Sequence, residues 1–444
     1  MASSPYPATQ ISGSGVVAFA IGGFLRPLHA LIVAPALLFI TTLGLMLFHP
    51  PDFNFHSIDR IAFCLLILVT LLRACALRQP LQIEGLVVWP MLAMLLLAFY
   101  GVVSEPNDAE TWSLFAAKWL VPLTLYQLAA YIFDDARSVR SFEIFSLIVL
   151  GYLSLTAIFF MIDAKQFIFP RYILDESLGY HADRARGPFL QAVANGVALN
   201  LLGLIALNSF RRKHVRGVLA LSFLIALPWA IVATKTRAVW LSFALSILWL
   251  LFFSPSRRLR WACLCLVLAG GMGLAAMMVF ADRNTSLGDR LEERGPVMFR
   301  MAIYQAGWEM FLKKPITGWG ATDMQTELSK RISGFHQEEF FFHNTYLEIV
   351  VQYGLVGLAL YFWIVIDLFK LGRSVGGPAF PGDGGFLDQQ FRSLWPLLLG
   401  VFLLNGSFVV MNYQFVNGYL FTIAGLLAAQ NRRAMDAKLT SVAS

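Results

Sequence analysis

The fold class of this protein is decided by two runs of apolar residues, IAFCLLILVTLLRACAL at residues 61–77 and WLSFALSILWLLFF at residues 240–253. Each run is about as long as an α-helix needs to cross a hydrocarbon core of about 30 Å. Similar runs occupy residues 28–48 and 262–281. The repetition of such runs along the chain predicts a membrane protein that crosses the bilayer several times.

The composition agrees with this interpretation and excludes a soluble globular protein. Of the 444 residues, 58% are hydrophobic and 14% are charged, and the mean hydropathy is +0.66. Soluble domains have roughly 25% charged residues. Long continuous apolar runs favour helices over the alternating strands of an outer-membrane barrel, so we expect an all-α bundle in an inner or plasma membrane. The four cysteines lie in apolar runs and indicate neither disulfides nor a zinc site: Cys64, Cys75, Cys263 and Cys265.

The polar breaks between apolar runs predict about twelve membrane spans. They fall at residues 28–48, 61–77, 84–103, 112–133, 142–162, 189–208, 217–233, 238–253, 262–281, 345–370, 393–410 and 414–430. Short loops rich in Lys and Arg face the cytoplasm, which places both termini there and the segments 163–191 and 282–344 on the opposite face. We therefore divide the chain into nine spans (1–281), a large external loop (282–344), and three spans with a cytoplasmic tail (345–444).

The large external loop has a helical pattern of its own. Pro296 suits a first helical turn and Pro315 ends the run. Apolar residues recur between them at helical spacing: Phe299, Ile303, Ala306, Met310 and Phe311. We expect an amphipathic helix that covers the bundle at the membrane surface, with Trp308 as an interfacial anchor.

Three arginines stand at the external edge of the predicted bundle: Arg186, Arg237 and Arg300. Arg237 lies between two apolar runs with almost no loop, and an ionisable group at such a depth usually faces a cavity and has a partner. A guanidinium cluster could offer planar, paired donors to a phosphate or diphosphate. The alternative for each is an ordinary solvated charge or an arginine that reaches lipid headgroups.

His343 lies where the external loop meets the next predicted span. Imidazole changes charge near neutral pH, so His343 is a candidate general base, with a structural histidine as the alternative. His336, Glu338, Glu339 and the acidic loop 105–110 lack the spacing of a metal site, and we expect no metal. No nucleotide or dinucleotide motif occurs either, so no cofactor is expected.

The order of these motifs resembles the O-antigen ligase and polymerase superfamily. The resemblance covers the topology of the whole chain and is most specific between about residues 180 and 360. Its elements are Arg186-Gly-Pro-Phe189 with Asn195, Thr236-Arg237 with Trp240, Arg300 with Trp308, Lys314-Pro315, Gly318-Trp-Gly320, His343-Asn344-Thr-Tyr346-Leu347 and Tyr353-Gly354-Leu-Val-Gly357.

The resemblance implies a membrane glycosyltransferase with a GT-C-like fold and no metal requirement. Its donor would be a glycan linked to undecaprenyl diphosphate, its acceptor the lipid A-core, and its site would face the periplasm of a bacterial inner membrane. Membrane lipids are further partners, and no nucleic acid is expected. Matched to the motifs, the diphosphate ligands would be Arg186, Arg237 and Arg300, the base His343, and the supporting residues Asn344, Tyr346 and Trp308.

Several alternatives stay open at the level of sequence. One large loop after the ninth span favours a ligase, whereas a polymerase would show a second sizeable basic loop and 163–191 is only medium in length. A protein O-oligosaccharyltransferase is the third possibility. A transporter would show repeats or paired half-spans, which we do not find. Direct displacement would invert the anomeric centre, and a double displacement would need a carboxylate nucleophile such as Glu338 or Glu339.

Overall fold

The computed structural model describes residues 35–48, 57–78, 81, 83, 85–103, 106–179, 181–212, 217–254, 256–280, 295–332, 341–373 and 391–443. Within these ranges the chain forms helices and no strand. The all-α prediction is therefore confirmed for the described part of the chain. Glu105, His336, Glu338 and Glu339 lie outside it.

The α-helices follow the predicted apolar runs. The first half contains α1 (Pro35–Leu47), α2 (Ile58–Leu77), α3 (Val88–Val103), α4 (Ala109–Phe115), α5 (Val121–Ile132), α6 (Ala136–Met161), α7 (Ala192–Arg212) and α8 (Gly217–Ala233). The second half contains α9 (Arg237–Phe253), α10 (Arg257–Phe280), α11 (Gly295–Lys313), α12 (Ala321–Arg331), α13 (Thr345–Arg373), α14 (Phe391–Gly406) and α15 (Gln414–Ala443). Short 3-10 turns occur at Lys165–Phe167, Arg171–Leu174 and Gly187–Phe189.

Four described helices, α2, α6, α7 and α13, are long and apolar enough to cross a membrane. Shorter apolar helices accompany them at α1, α3, α9, α14 and Leu221–Ala233 of α8. This set is compatible with a membrane-embedded helical bundle. The number of crossings and the three-part division of the chain stay predictions.

One predicted span is interrupted. The apolar run 112–133 forms α4, then a π-helical turn at Ala116–Leu120, then α5. Pro122 near the start of α5 explains this, because a proline ring in a regular α-helix clashes with the carbonyl group four residues earlier. The wider π-turn, a feature often found at functional sites, removes that clash and carries Lys118 into the bundle.

The core of the bundle is built around α15 and α5, which form its most extensive helix pair. A methyl group on Gly425 would lie 2.2 Å from the carbonyl oxygen of Tyr126, so only glycine permits this approach of the two backbones. The Tyr419 hydroxyl donates a hydrogen bond of 2.8 Å to the Ser146 hydroxyl of α6. The centre of the bundle is therefore closely packed, and Tyr419 and Ser146 are paired across two helices.

A second, smaller core joins α11 and α12 to the first turns of α13. It contains Ile303, Ala306, Met310, Met324, Leu328, Ile332, Phe342 and Val351. The helix predicted from Pro296 to Pro315 exists, and its predicted apolar positions face this core. The prediction that it is amphipathic is wrong, because Met298, Met301 and Leu312 on other positions of α11 are apolar and exposed.

Candidate active site

The segment between α11 and α12 pairs with a break in α13, and this junction positions the candidate site. Pro315 follows α11, which cannot continue through a proline. The N–H groups of Trp319 and Gly320 donate to the carbonyl oxygens of Val351 and Gln352, each at 3.0 Å. In return, the Leu355 N–H donates to the Pro315 carbonyl at 2.8 Å.

Two glycines make the junction possible. Gly354 has φ 64° and ψ −163°, which breaks the helical path of α13. A Cβ atom there would lie 2.0 Å from the Ile316 carbonyl oxygen, and one on Gly318, with φ 71°, would lie 2.4 Å from the Gln352 carbonyl oxygen. The motifs Gly318-Trp-Gly320 and Tyr353-Gly354 are therefore two sides of one structural unit.

His343 lies just before α13 in a left-handed conformation, with φ 50°. Burial and the positive charge of Arg300, with a further contribution from His181, lower the pKa of His343 to about 4. The Phe299 ring centre is 6.3 Å from that of His343, and the Tyr304 hydroxyl donates to the His343 carbonyl oxygen at 3.5 Å. At neutral pH the imidazole is therefore uncharged and has a lone pair free to accept a proton.

Asn344 and Tyr346 stabilise the start of α13, directly after this histidine. Asn344 is a helix N-cap whose side-chain oxygen accepts from the N–H groups of Tyr346 and Leu347 at 3.0 and 3.1 Å. The Tyr346 hydroxyl donates to the Leu403 carbonyl at 2.7 Å, which joins α13 to α14. Trp308, the third residue predicted to support the site, is 55% exposed. Its ring packs on that of Phe311 in the same helix, and the two ring centres are 5.2 Å apart.

Arg186 is buried in the loop between α6 and α7, and its guanidinium is occupied by that loop. Its Nε donates to the Ile173 carbonyl at 3.1 Å, and its two terminal nitrogens donate to the carbonyls of Leu178 and Asp175. These contacts assign Arg186 the task of ordering the loop. Whether it also binds a phosphate stays a prediction.

The loop that carries Arg186 also contacts the region of the Arg237 motif. The Ala185 N–H donates to the Ala233 carbonyl at 3.1 Å, at the end of α8. Asn195 donates from its side chain to the Ala185 carbonyl at 2.9 Å. The loop therefore lies beside the tight turn that carries Arg237, and the charge of its His181 contributes to the lowered pKa of His343.

Arg237 is the first residue of α9 and is exposed. Thr234 and Thr236 close the turn before it, with hydroxyl bonds to the Ile231 and Thr234 carbonyls at 2.7 and 2.9 Å. An arginine at a helix N-terminus adds its charge to the positive end of the helix dipole, which favours an anion. Among the described residues neither Arg237 nor Arg300 forms an ion pair, so the acidic partner expected for Arg237 is not found there.

Reasoning from sequence missed two features of this region. His181 is one histidine in a polar loop and has no motif around it. Lys118 and Glu348 form an ion pair of 2.7 Å whose side chains are only 13% and 11% exposed, beside a cavity of about 50 Å³. Both charges fall inside predicted spans, and a charge within an apolar span is a signal that could have identified this pair.

No group of acidic, histidine and cysteine residues suited to a metal occurs in the described ranges. Asp108 of the acidic loop is instead a helix N-cap, whose carboxylate accepts from the Glu110 N–H at 3.1 Å. The site as described combines an uncharged imidazole with free guanidinium groups. That combination suits proton transfer next to a bound anion.

Comparison with known proteins supports the family resemblance. Residues 221–362 match the model of the Wzy_C family, described as O-antigen ligase. Comparison with curated proteins gives no match. The matched segment runs from α8 to the middle of α13. It includes Arg237, Arg300, His343 and the two glycines of the junction, Gly318 and Gly354. In this segment the chain is similar to the O-antigen ligase family.

Proposed function

We propose that this protein is an O-antigen ligase, which transfers O-antigen polysaccharide from undecaprenyl diphosphate to a sugar hydroxyl of lipid A-core. The reaction would take place on the periplasmic side of a bacterial inner membrane. The observation that carries the proposal is the half-buried, uncharged His343 next to the positive charge of Arg300, within the segment that matches the ligase family.

The residues support a direct displacement. The acceptor hydroxyl oxygen attacks the anomeric carbon of the donor glycan, and His343 takes the hydroxyl proton. The bond between the anomeric carbon and the diphosphate oxygen breaks, and the diphosphate leaves with the electron pair. Arg237 and Arg300 stabilise the developing negative charge. One displacement inverts the anomeric configuration.

The charge of Arg300 makes the pKa of His343 depend on whether the donor is bound. Without donor, the charge of Arg300 disfavours a proton on His343. A bound diphosphate places negative charge beside Arg300 and offsets this effect, so the pKa of His343 rises towards its ordinary value. The imidazole thus becomes a stronger base when the donor is in place.

The charges of Arg237 and Arg300 could replace a divalent cation on the diphosphate. We therefore propose a metal-independent reaction. Arg186 contributes by ordering the loop that carries His181.

The experiment begins with lipopolysaccharide from a strain that lacks this protein. A ligase predicts loss of capped core and accumulation of polymeric carrier-linked glycan. Core that carries a single repeat unit would instead identify a polymerase. Unchanged lipopolysaccharide with loss of protein glycosylation would identify a protein O-oligosaccharyltransferase.

A second arm uses the purified full-length protein with carrier-linked donor and lipid A-core. Transfer should persist in EDTA and should be abolished in Arg237→Ala and Arg300→Ala. Lysine at either position should restore it only in part, because lysine lacks the planar fork of arginine. Loss of transfer in EDTA with specific recovery by Mg²⁺ or Mn²⁺ would contradict the metal-independent mechanism. Movement of glycan across vesicles without transfer would indicate a transporter.

A further inference from the structure

Helix α11 has an exposed apolar stripe on the side opposite its buried face. Ile303, Ala306 and Met310 are at most 4% exposed. Four other residues are exposed by more than half, from 55% to 66%: Met298, Met301, Trp308 and Leu312. At 3.6 residues per turn, these four fall within an arc of roughly 80°, which also contains the exposed Gln305. We call them the outer stripe.

The outer stripe continues into the exposed apolar surface of α13. Beyond the end of α11, Ile316 is 64% exposed, and its carbonyl accepts a hydrogen bond of 3.4 Å from the Val356 N–H. Leu355 and Val356 are themselves 49% and 45% exposed. They belong to α13, one of the helices apolar and long enough to cross a membrane. From Leu355 to Arg373 this helix is about 28 Å long, close to the thickness of a hydrocarbon core.

The flanks of the stripe suit the boundary between lipid and water. Lys313 and Lys314 are exposed at its C-terminal end, and the Lys314 ammonium lies 4.2 Å from the centre of the Trp319 ring. Tryptophan is enriched at the headgroup level, and lysine side chains there reach the phosphate groups. Large apolar side chains exposed next to a helix that can cross a membrane are typical of a membrane-interaction surface.

We propose that the outer stripe is a lipid-contact surface, on which α11 rests in the outer leaflet of the bilayer with its apolar side chains among the acyl chains. A second copy of the chain is less compatible with the stripe, because the surface it joins at Leu355 and Val356 is part of a membrane-spanning helix. The lipid contact needs no enzymatic activity. If the proposed function also holds, the contact fixes the height of Arg300, on the same helix, at the layer where a lipid diphosphate lies.

Spin labels on the full-length protein in lipid nanodiscs test the proposal. In a background with the four cysteines replaced by serine, one nitroxide is attached at Met301→Cys or Leu312→Cys. Ile366→Cys, 51% exposed on α13, is the lipid reference, and Thr326→Cys, exposed on α12, is the water reference. Power saturation compares access of oxygen, which concentrates in lipid, with access of a water-soluble nickel chelate.

Labels at 301 and 312 should match the label at 366, with oxygen access greater than nickel access. Behaviour like that at 326 would overturn the proposal. Low access to both reagents, with broadening between labels of two molecules, would overturn it in favour of a second copy. None of these outcomes depends on transfer activity, so failure here is distinct from failure of the proposed ligase reaction.

The unmodified protein provides an independent measurement in case removal of the cysteines disturbs folding. Hydroxyl-radical oxidation in nanodiscs is followed by mass spectrometry of individual methionines. Met298 and Met301 should be protected as strongly as Met272, which is 72% exposed within the apolar helix α10. Oxidation of both at the rate of Met435, 63% exposed after the basic residues of α15, would contradict lipid contact.

Discussion

At the scale of the residue, His343 has a charge state set by its surroundings. Its imidazole is partly withdrawn from water and lies near a guanidinium, and both effects favour the neutral form. The left-handed backbone at His343 is uncommon outside glycine, although asparagine, aspartate and histidine adopt it several-fold more often than other residues. A strained residue at the start of a capped helix is a frequent feature of functional sites.

We expect His343→Ala to lower turnover by about 10² to 10⁴-fold, the usual contribution of a general base. Donor binding should change little, because it depends on Arg237 and Arg300. His343→Asn is the matched control for the backbone, since asparagine accepts the left-handed conformation but no proton. Transfer assays on both variants, with donor affinity measured separately, provide the test. High activity in His343→Asn or His343→Gln would show that the residue only orients the loop.

A second residue-scale prediction concerns pH. Because His343 acts as a base only when unprotonated, kcat/KM should hold at neutral pH and fall as the pH drops through about 4. Arg300→Gln removes a nearby positive charge and should raise the pKa of His343. Because this variant is expected to lose transfer, the pKa is measured by NMR titration of the imidazole; Lys313→Gln, which removes an exposed cation on the same helix, should leave the pKa unchanged. A His343 pKa unchanged in Arg300→Gln would contradict the assigned proximity.

At the scale of the element, the junction between 314–320 and α13 joins α11 and α12 to the bundle. Its hydrogen bonds use carbonyl groups that the break at Gly354 has released from the helix. The same break brings α11, and with it Arg300, to the side of His343. The geometry of the candidate site therefore depends on one backbone conformation in α13.

Gly354→Ala should detach this junction. The added methyl group meets the Ile316 carbonyl oxygen and the residue must keep a positive φ, so the loss of stability exceeds about 1 kcal/mol. Thermal unfolding in detergent and protease sensitivity of 314–320 report it. Gly270→Ala in α10 is the control, because no heavy atom lies within 4 Å of the added methyl group. Equal unfolding midpoints for the two variants would contradict the prediction.

The Lys118–Glu348 pair ties the π-helical turn to the first turns of α13. Lys118→Met leaves Glu348 as a largely buried charge without its partner, and we expect a loss of about 3–5 kcal/mol in stability. The double variant Lys118→Met/Glu348→Leu removes both charges and should recover much of it. These values are read from thermal unfolding of the purified protein.

Lys330→Met breaks the pair with Glu327, in which the lysine side chain is 63% exposed, and serves as the control. It should cost less than about 1 kcal/mol. If Lys118→Met costs no more than Lys330→Met, the pair between α13 and the π-turn has no special role.

At the scale of the whole molecule, the topology decides on which side of the membrane the candidate site works. Phosphatase fused after Ser286 should be active, because 282–344 is predicted to be periplasmic. The same enzyme fused after Gly376, in a predicted cytoplasmic loop, should be inactive. An inactive fusion at Ser286, with normal expression, would contradict both the topology and the periplasmic site.

The sequence by itself determined the helical class and the positions of the apolar helices, and it indicated a resemblance to the O-antigen ligase family. Hydropathy and helical spacing are local properties, so the runs at 61–77 and 240–253 are visible without any structure. The resemblance rests on short motifs around Arg237 and His343, and both residues lie in the segment that matches the family model.

Only the tertiary structure decided what the polar residues contact. The sequence predicted Arg186 as one of three diphosphate ligands, and the structure adds that its guanidinium donates to the carbonyl groups of its own loop. Lys118 forms an ion pair with Glu348, although 230 positions separate them in the chain. Gly318 packs against the backbone of α13 where Gly354 breaks the helix. The physical reason is that each contact depends on how distant helices pack, whereas hydropathy and motif spacing record only neighbours along the chain.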